Sequence, residues 1–322
     1  MSYSRSSGVL LTLALSLAFS LPGFTAESGP SIAPFGVDLG GRDLSVKPGD
    51  DFYAYAGGTW MKTEKLPADR TNWTSFTKLA DENETRIRAL LEEARASAGA
   101  PGSIAQKIGD FYGSFLDESR INTLGMSKAE GVMEDIRKSA THEAIAKLMG
   151  NPALGLPAPI DIGVTLDEKN PDRYVVGVSH GGLGLPDRDF YLRDDDQFKT
   201  VRAAYQAHLG RMLKLAGYAD ADVAAEHILK LETEIAKLHW PRADRRDRDR
   251  TYNPMTLAEL KTMAPEFAWD SLLLGAEMPD PGTFVVSEKS AIAPLGKLFR
   301  VTPLGDWRAY LSYHFLARHA SV

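Results

Sequence analysis

Apolar residues recur at three- and four-residue intervals along most of the chain, the spacing that gathers side chains on one face of an α-helix. Phe76, Leu79, Ile87, Leu90 and Ala94 make one such face, on a helix expected to start near Ser75. After a break at 98–102, Ser103 can cap a helix with the stripe Ile104, Ile108, Phe111 and Phe115. Ser127 and Glu130 have capping-box spacing for a third helix, and Thr141 can cap a short fourth that ends near Gly150. Two long helices are predicted next. One covers 195–216, with Phe198, Val201, Tyr205, Leu209 and Met212 inward; the other covers 220–239, with Ala224, Ile228, Leu231, Ile235 and Leu238 inward. Gly217 ends the first and Pro241 stops the second. Thr256 and Glu259 form another capping box, short helical pieces continue to Arg300, and Thr302 and Pro303 open a last helix with Leu304, Trp307, Leu311 and Phe315 on one side.

Between the fourth and fifth of these helices the period changes to two. After the Pro-rich stretch 151–159, Ile160, Ile162, Val164 and Leu166 alternate with polar or small residues, and 174–179 is a second β-prone run. The Asp167-Glu168-Lys169-Asn170-Pro171 segment between them reads as a turn, so a β-hairpin is expected at about 160–179. The fold class is therefore mainly α: a large helical domain with one small β-hairpin.

Composition narrows the picture. The charge of −6 gives no basic surface for phosphates, which argues against a nucleic-acid partner. Arg5 followed by the apolar run 9–21 and small residues reads as a signal peptide, 1–26, with cleavage after Ala26 or after Ser20. The run is short for a membrane span, although an uncleaved anchor is the alternative reading. Residues 27–49, rich in Gly, Pro and Ser, form an extended lead-in, and 50–322 the helical domain. No membrane association is expected after signal cleavage. The chain has no Cys, so an exported protein of this sequence relies on its packed core.

Candidate chemistry is sparse. A zinc helix of the form His-Glu-x-x-His places two imidazoles one turn apart on one face. The nearest match, His142-Glu143-Ala144-Ile145-Ala146, has Ala146 at the second ligand position and reads as a surface first turn. The inverted pattern fails at Val223, and His314 and His319 fall on different helix faces; His208 and His227 read as boundary or core histidines. No Gly-x-Ser-x-Gly elbow occurs, and Pro186 disqualifies Gly182-Leu183-Gly184 as a phosphate loop. Asp187, Arg188 and Asp189 read as a local salt-bridged turn, with Asp187 accepting backbone N–H bonds and Arg188 forking onto a carboxylate. The run Asp244-Arg245-Arg246-Asp247-Arg248-Asp249-Arg250 reads as a solvated linker, with an anion or partner site as the alternative. Phe52, Tyr53, Tyr55, Trp60 and Trp73 are expected to pack the N-terminal segment onto the core.

Several ordered motifs point further. They are Pro48-Gly49-Asp50-Asp51-Phe52-Tyr53, Gly58-Thr59-Trp60, Gly184-Leu185-Pro186-Asp187-Arg188-Asp189-Phe190-Tyr191, Tyr252-Asn253 and the helix from Trp307 to Tyr313. In this order, over about 34–319, the chain resembles the N-terminal half of the neprilysin and endothelin-converting-enzyme family of zinc metallopeptidases. It departs locally, since the family often has Asn where Gly57 stands and Gln near His180. The resemblance makes Asp51, Phe52, Tyr53, Trp60, Leu185, Pro186, Asp187, Arg188, Asp189, Tyr252 and Asn253 structural signatures rather than catalytic groups. The family's zinc helix, third ligand and transition-state histidine lie in a C-terminal half that has no counterpart in these residues.

The resulting expectation has three parts. The chain is the cap of an exported zinc metalloendopeptidase, periplasmic or extracellular in a bacterium since bacterial members often lack disulfides. It carries no catalytic residue, no cofactor and no metal ligand of its own; zinc belongs to the intact family member, whose partners are peptide substrates. The domain is apparently truncated at its C-terminal end, because the last helix has no stop signal before Val322. Residues after Trp60, notably Asn72 and Thr77, are the candidates for facing a substrate cavity. The alternatives are a non-catalytic peptide- or protein-binding module and a non-functional gene fragment.

Overall fold

The computed structural model describes residues 39–320 apart from 69, 71, 98 and 279–281. The expected signal peptide and the lead-in up to residue 38 lie outside the described residues. The chain divides into two compact units at the Leu116/Asp117 boundary. The fold is mainly α, as the apolar periodicity predicts.

In the first unit, α1 (Phe52–Thr63) is capped by the Asp51 carboxylate, which accepts from the Ala54 N–H at 2.9 Å. It is followed by α2 (Ser75–Ser97) and α3 (Ile104–Leu116), which pair. The Ser103 cap forms as predicted, its hydroxyl accepting from the Gln106 N–H at 3.1 Å. The apolar stripes do not face inward: Phe76 is 85% exposed and Phe111 76%, and Leu90, Ile104 and Phe115 are exposed too. The helices instead meet through small residues. Gly109 lies against the Ala94 carbonyl, so close that a Cβ would overlap it. Phe52 and Tyr53 are likewise exposed.

The second unit opens with α4 (Glu118–Leu124), α5 (Glu130–Lys138) and α6 (His142–Gly150). The predicted Ser127–Glu130 box does not form. Helix α5 starts at Glu130 itself, with Ala129 as a cap that makes no side-chain bond. The Thr141 cap on α6 does form.

Strands β1 (Ile160–Asp167) and β2 (Asn170–His180) make the predicted hairpin, with Ile160 opposite His180 and Val164 opposite Val176. Only its base is covered. Val164 and Leu166, towards its tip, are exposed, and the next strand in the sheet pairs only with Val176, Gly177 and Val178.

Helices α7 (Asp189–Leu192), α8 (Asp196–Leu215) and α9 (Ala221–Leu238) follow, then α10 (Arg248–Thr251) and the short strand β3 (Asn253–Met255). Next come α11 (Leu257–Met263), α12 (Trp269–Gly275), β4 (Phe284–Val286), α13 (Lys289–Val301) and α14 (Leu304–His319). The Thr256–Glu259 capping box on α11 is complete. The hairpin thus joins a four-stranded sheet of order β1-β2-β4-β3, with β2 parallel to β4 and β3 antiparallel to β4.

One core gathers Ile228 and Ile235 of α9, Leu209 and Leu213 of α8, Phe284 and Val286 of β4, Phe299 of α13, and α14. On α14, Trp307, Tyr310, Leu311, Ser312, Tyr313, Phe315 and Leu316 are all buried, so this helix is enclosed on more than the one side its periodicity showed.

Candidate functional site

The densest polar organisation surrounds the Gly-rich turn between β2 and α7. Gly182 turns the chain with a φ of 89°, a conformation that costs glycine little, and its carbonyl accepts from the Tyr310 hydroxyl at 2.9 Å. Gly184 passes directly against the Tyr205 hydroxyl and the Glu232 carboxylate, where a Cβ has no room. The Leu185 N–H donates to the Tyr191 hydroxyl at 2.8 Å, which donates on to Glu232 Oε2 at 2.6 Å. The Asp187 carboxylate accepts from the Asp189 N–H at 2.9 Å, the turn bond its position predicts. Arg202 Nη1 binds the Phe190 and Arg193 carbonyls at 2.8 and 2.7 Å, fixing the far end of the turn.

Glu232 is the hub beneath this turn. It lies on the apolar stripe of α9, four residues after Ile228, and is fully buried. Its carboxylate accepts from Tyr191, from Tyr205 at 3.1 Å and from His314 Nε2 at 2.8 Å. Burial, followed by the charge of Glu232, raises the Tyr191 and Tyr205 hydroxyls above the usual tyrosine range, so both remain donors. The sequence reading missed Glu232. The signal available was a carboxylate one turn from an isoleucine on a helix stripe, where a charge has to be paired.

Beside the turn, His180 and His239 stack with ring centroids 3.7 Å apart and planes 21° apart, both buried. His239 Nε2 donates to the Gly181 carbonyl at 3.0 Å, and His180 Nε2 accepts from the Trp240 N–H at 3.3 Å. Glu288, buried at the start of α13, accepts from the His180 N–H at 3.1 Å and from Arg245 Nε at 2.8 Å. Burial is the main cause that lowers both imidazoles to about 4. The Arg245 charge adds to this for His180, and the neighbouring ring of His180 adds to it for His239. Both rings are therefore neutral at pH 7. Neither this pair nor its partners emerged from sequence spacing, because the two rings are brought together from 59 positions apart by β2 and the end of α9.

The charge run 244–250 is not a free linker. Arg245 reaches Glu288, Arg248 pairs with Glu168 at 2.8 Å, Arg250 lies over the Trp240 ring at 4.6 Å, and Asp247 caps α10. Arg188 does not fork onto a carboxylate as expected. The carboxylate of Asp187 lies 3.6 Å from Arg242 instead, and Arg188 Nε is buried without a partner among the described residues.

Tyr252 and Asn253 tie β3 to the sheet. The Tyr252 hydroxyl donates to Asp167 Oδ1 at 2.8 Å, and Asn253 Nδ2 donates to the Val286 carbonyl at 2.9 Å. Asp167 is also held by Arg173 and the Lys169 N–H. Arg173 first and then these bonds hold its carboxyl down at about 2.

In the other unit, Trp60 is half-buried, Asn72 is exposed, and the Thr77 hydroxyl is used within its own turn, donating to the Thr74 carbonyl at 2.9 Å. That bond leaves Thr77 occupied with the start of α2.

The nearest match to a zinc helix is engaged elsewhere. His142 Nε2 donates to the Thr302 carbonyl at 2.9 Å and Glu143 pairs with Arg300 at 2.8 Å. Among the described residues no three His, Cys, Asp or Glu side chains group so as to hold a metal ion.

The fold and the locked turn define a helical domain that carries one small mixed sheet. Residues 48–322 match the family model for the N-terminal domain of Peptidase family M13, and the chain belongs to that family. Human endothelin-converting enzyme-like 1 is 30% identical over 302 residues, covering 87% of this chain and 38% of that protein. Human endothelin-converting enzyme 1 is 28% identical over 300 residues, covering 88% and 38%. The solved zinc metalloprotease Zmp1 of Mycobacterium tuberculosis, in complex with an inhibitor, superposes with a TM-score of 0.75 at 31% identity, over 87% of this chain and 43% of that one. The chain thus spans less than half the length of these relatives. The M13 family comprises zinc metallopeptidases.

Proposed function

We propose that this chain is the helical cap of an exported zinc metalloendopeptidase, a domain that encloses peptide substrates while the zinc and its chemistry are supplied by parts of the protein outside the M13 N-terminal domain. The observation that carries the reading is the match of 48–322 to that domain, with relatives more than twice as long. The exposed stripes of α2 and α3 support it, since apolar faces of this kind fit a surface that another part of a longer protein covers. Domain limits of 50–322 after a leader of 1–26, placement in a bacterial periplasm or outside the cell, and a cavity-facing role for Asn72 and Thr77 belong to the same proposal. No described helix is long and apolar enough to cross a membrane.

The test is peptide cleavage. The purified chain, given a mixed peptide library with zinc or with a chelator, is expected to cut nothing. The same residues joined to the remaining segment of a bacterial family member are expected to cut peptides, and chelation to abolish the activity. Zinc-dependent cleavage by the chain alone would overturn the proposal.

A further inference from the structure

Strand β1 is an edge of the four-stranded sheet, paired with β2 alone among the described residues. Along an antiparallel pair, successive residues bond across it and away from it by turns. The Gly181 N–H donates to the Pro159 carbonyl at 3.0 Å, which sets the phase. Asp161, Gly163 and Thr165 therefore bond to β2, while Ile160, Ile162 and Val164 turn their N–H and C=O groups to the open side. Their opposites on β2 agree. The Val176 N–H donates to the Thr283 carbonyl at 3.2 Å, the Val178 carbonyl accepts from the Ser287 N–H at 2.8 Å, and the His180 N–H donates to Glu288 at 3.1 Å, all on the side away from β1. No backbone group among the described residues meets Ile160, Ile162 or Val164 across the open edge.

Such edges are normally guarded, since a row of free N–H and C=O groups pairs with any strand it meets. β1 has 8 residues and no Lys, Arg or Pro. Its only charges are Asp161 and Asp167, and Asp167 is held by Arg173 and Tyr252. Its irregularity comes at Leu166/Asp167, at the turn end of the hairpin. Val164, Leu166 and Tyr174 lie exposed on the face whose other end, at Ile160 and Val178, is buried in the core. An unguarded edge that continues an apolar face suits a permanent neighbour better than a passing one.

The end of α14 points to the source of that neighbour. Arg318, in its last turn, lies so close over Gly155 that a Cβ there would overlap the guanidinium. Arg318 and the consecutive residues Ile160 to Val164 line one cavity of about 520 Å³, with Leu272 and Met278 among its apolar walls. Residues of both strand faces line it, as they do along an edge. In a longer family member, the polypeptide that follows the M13 N-terminal domain leaves α14 beside this edge.

We infer that β1 is completed by a strand from the part of the protein that follows the M13 N-terminal domain, a strand of alternating pattern, apolar on the face it shares with Ile162 and Val164. The inference rests on the cap-domain reading, but its test does not depend on cleavage.

The measurement is amide hydrogen exchange, on the chain alone and on the joined protein whose cleavage is tested above. In the chain alone, the Asp161, Gly163 and Thr165 amides are expected to exchange slowly, and those of Ile162 and Val164 at least about tenfold faster. In the joined protein all five are expected to be slow. Val164→Pro removes an outward N–H that meets no backbone group in the chain alone, a position where an edge tolerates proline. It is expected to leave the urea midpoint of the chain unchanged and, in the joined protein, to return Ile162 to its fast rate.

Slow exchange of Ile162 and Val164 in the chain alone would overturn the inference, and a dependence on protein concentration would assign the edge to a second copy. Slowing in the joined protein only when a peptide is added would overturn it in favour of a bound substrate. Ile162 that stays slow in the joined Val164→Pro protein would mean burial without strand pairing, and would overturn it too. Fast exchange of both amides in a joined protein that cuts peptides would overturn the strand and leave the cap-domain reading in place. Slow exchange of both in a joined protein that cuts nothing would support the strand and count against the peptidase reading.

Discussion

Replacing Glu232 by Ala tests whether the turn between β2 and α7 is held from below. Three donors end on this carboxylate, Tyr191 at 2.6 Å, Tyr205 at 3.1 Å and His314 at 2.8 Å, and Tyr191 in turn anchors the Leu185 N–H. Each buried donor left unpaired costs about 1–3 kcal/mol. Some of that returns as hydroxyls rotate and water enters, so the expected loss is about 3–5 kcal/mol, the range for removing one partner from a buried charged cluster. Gln fills the same space and keeps one acceptor oxygen, and its amide can donate to a rotated tyrosine hydroxyl. Its expected loss is about 1–2 kcal/mol. The assay is urea unfolding followed by tryptophan fluorescence, to which the fully buried Trp269 and Trp307 of the same unit contribute. A loss below about 1 kcal/mol for the Ala protein, or equal losses for Ala and Gln, would refute the hub.

Gly184→Ala forces a methyl onto the Tyr205 hydroxyl and Glu232, and the expected cost is about 1–3 kcal/mol in the same urea assay. The His180–His239 pair predicts a pH effect. The folded rings titrate near 4 and an unfolded histidine near 6.5, so on acidification the unfolded chain takes up protons first. Stability is complete above pH 6.5 and falls as pH drops towards 4, and a His180→Gln, His239→Gln double variant is expected to flatten that slope. Thr256→Ala removes one half of a complete capping box and is expected to cost about 1 kcal/mol by thermal or urea unfolding. Phe76→Ser and Phe111→Ser, on exposed stripes, are expected to change stability by no more than about 0.5 kcal/mol while raising solubility. A loss typical of a core phenylalanine would return these residues to the interior.

Helix identity was legible because it is local. Tyr205 and Leu209 on α8, and Ile228, Leu231 and Ile235 on α9, are buried where a 3.6-residue period put them, and Ser103, Thr141 and Thr256 cap the helices that come after them. The hairpin was legible for the same reason, with Asp167 to Asn170 as its turn. The ordered motifs also carried the family, because they are read as strings. Periodicity states that a face is apolar and says nothing of what covers it, and the stripes of α2 and α3 are exposed.

The site was decided by long-range packing. The parallel pairing of β2 with β4 joins residues more than 100 positions apart, and the same convergence brings Glu288 under His180. Glu232 finds Tyr191 and His314 only when α7, α9 and α14 are assembled. The sequence alone determined which segments are helical and which family they belong to, since hydrogen bonds within a helix and side chains one turn apart depend on neighbours in the chain. Only the tertiary structure decided which buried charges are paired and which donors are left over, since pairing depends on groups that meet across the core.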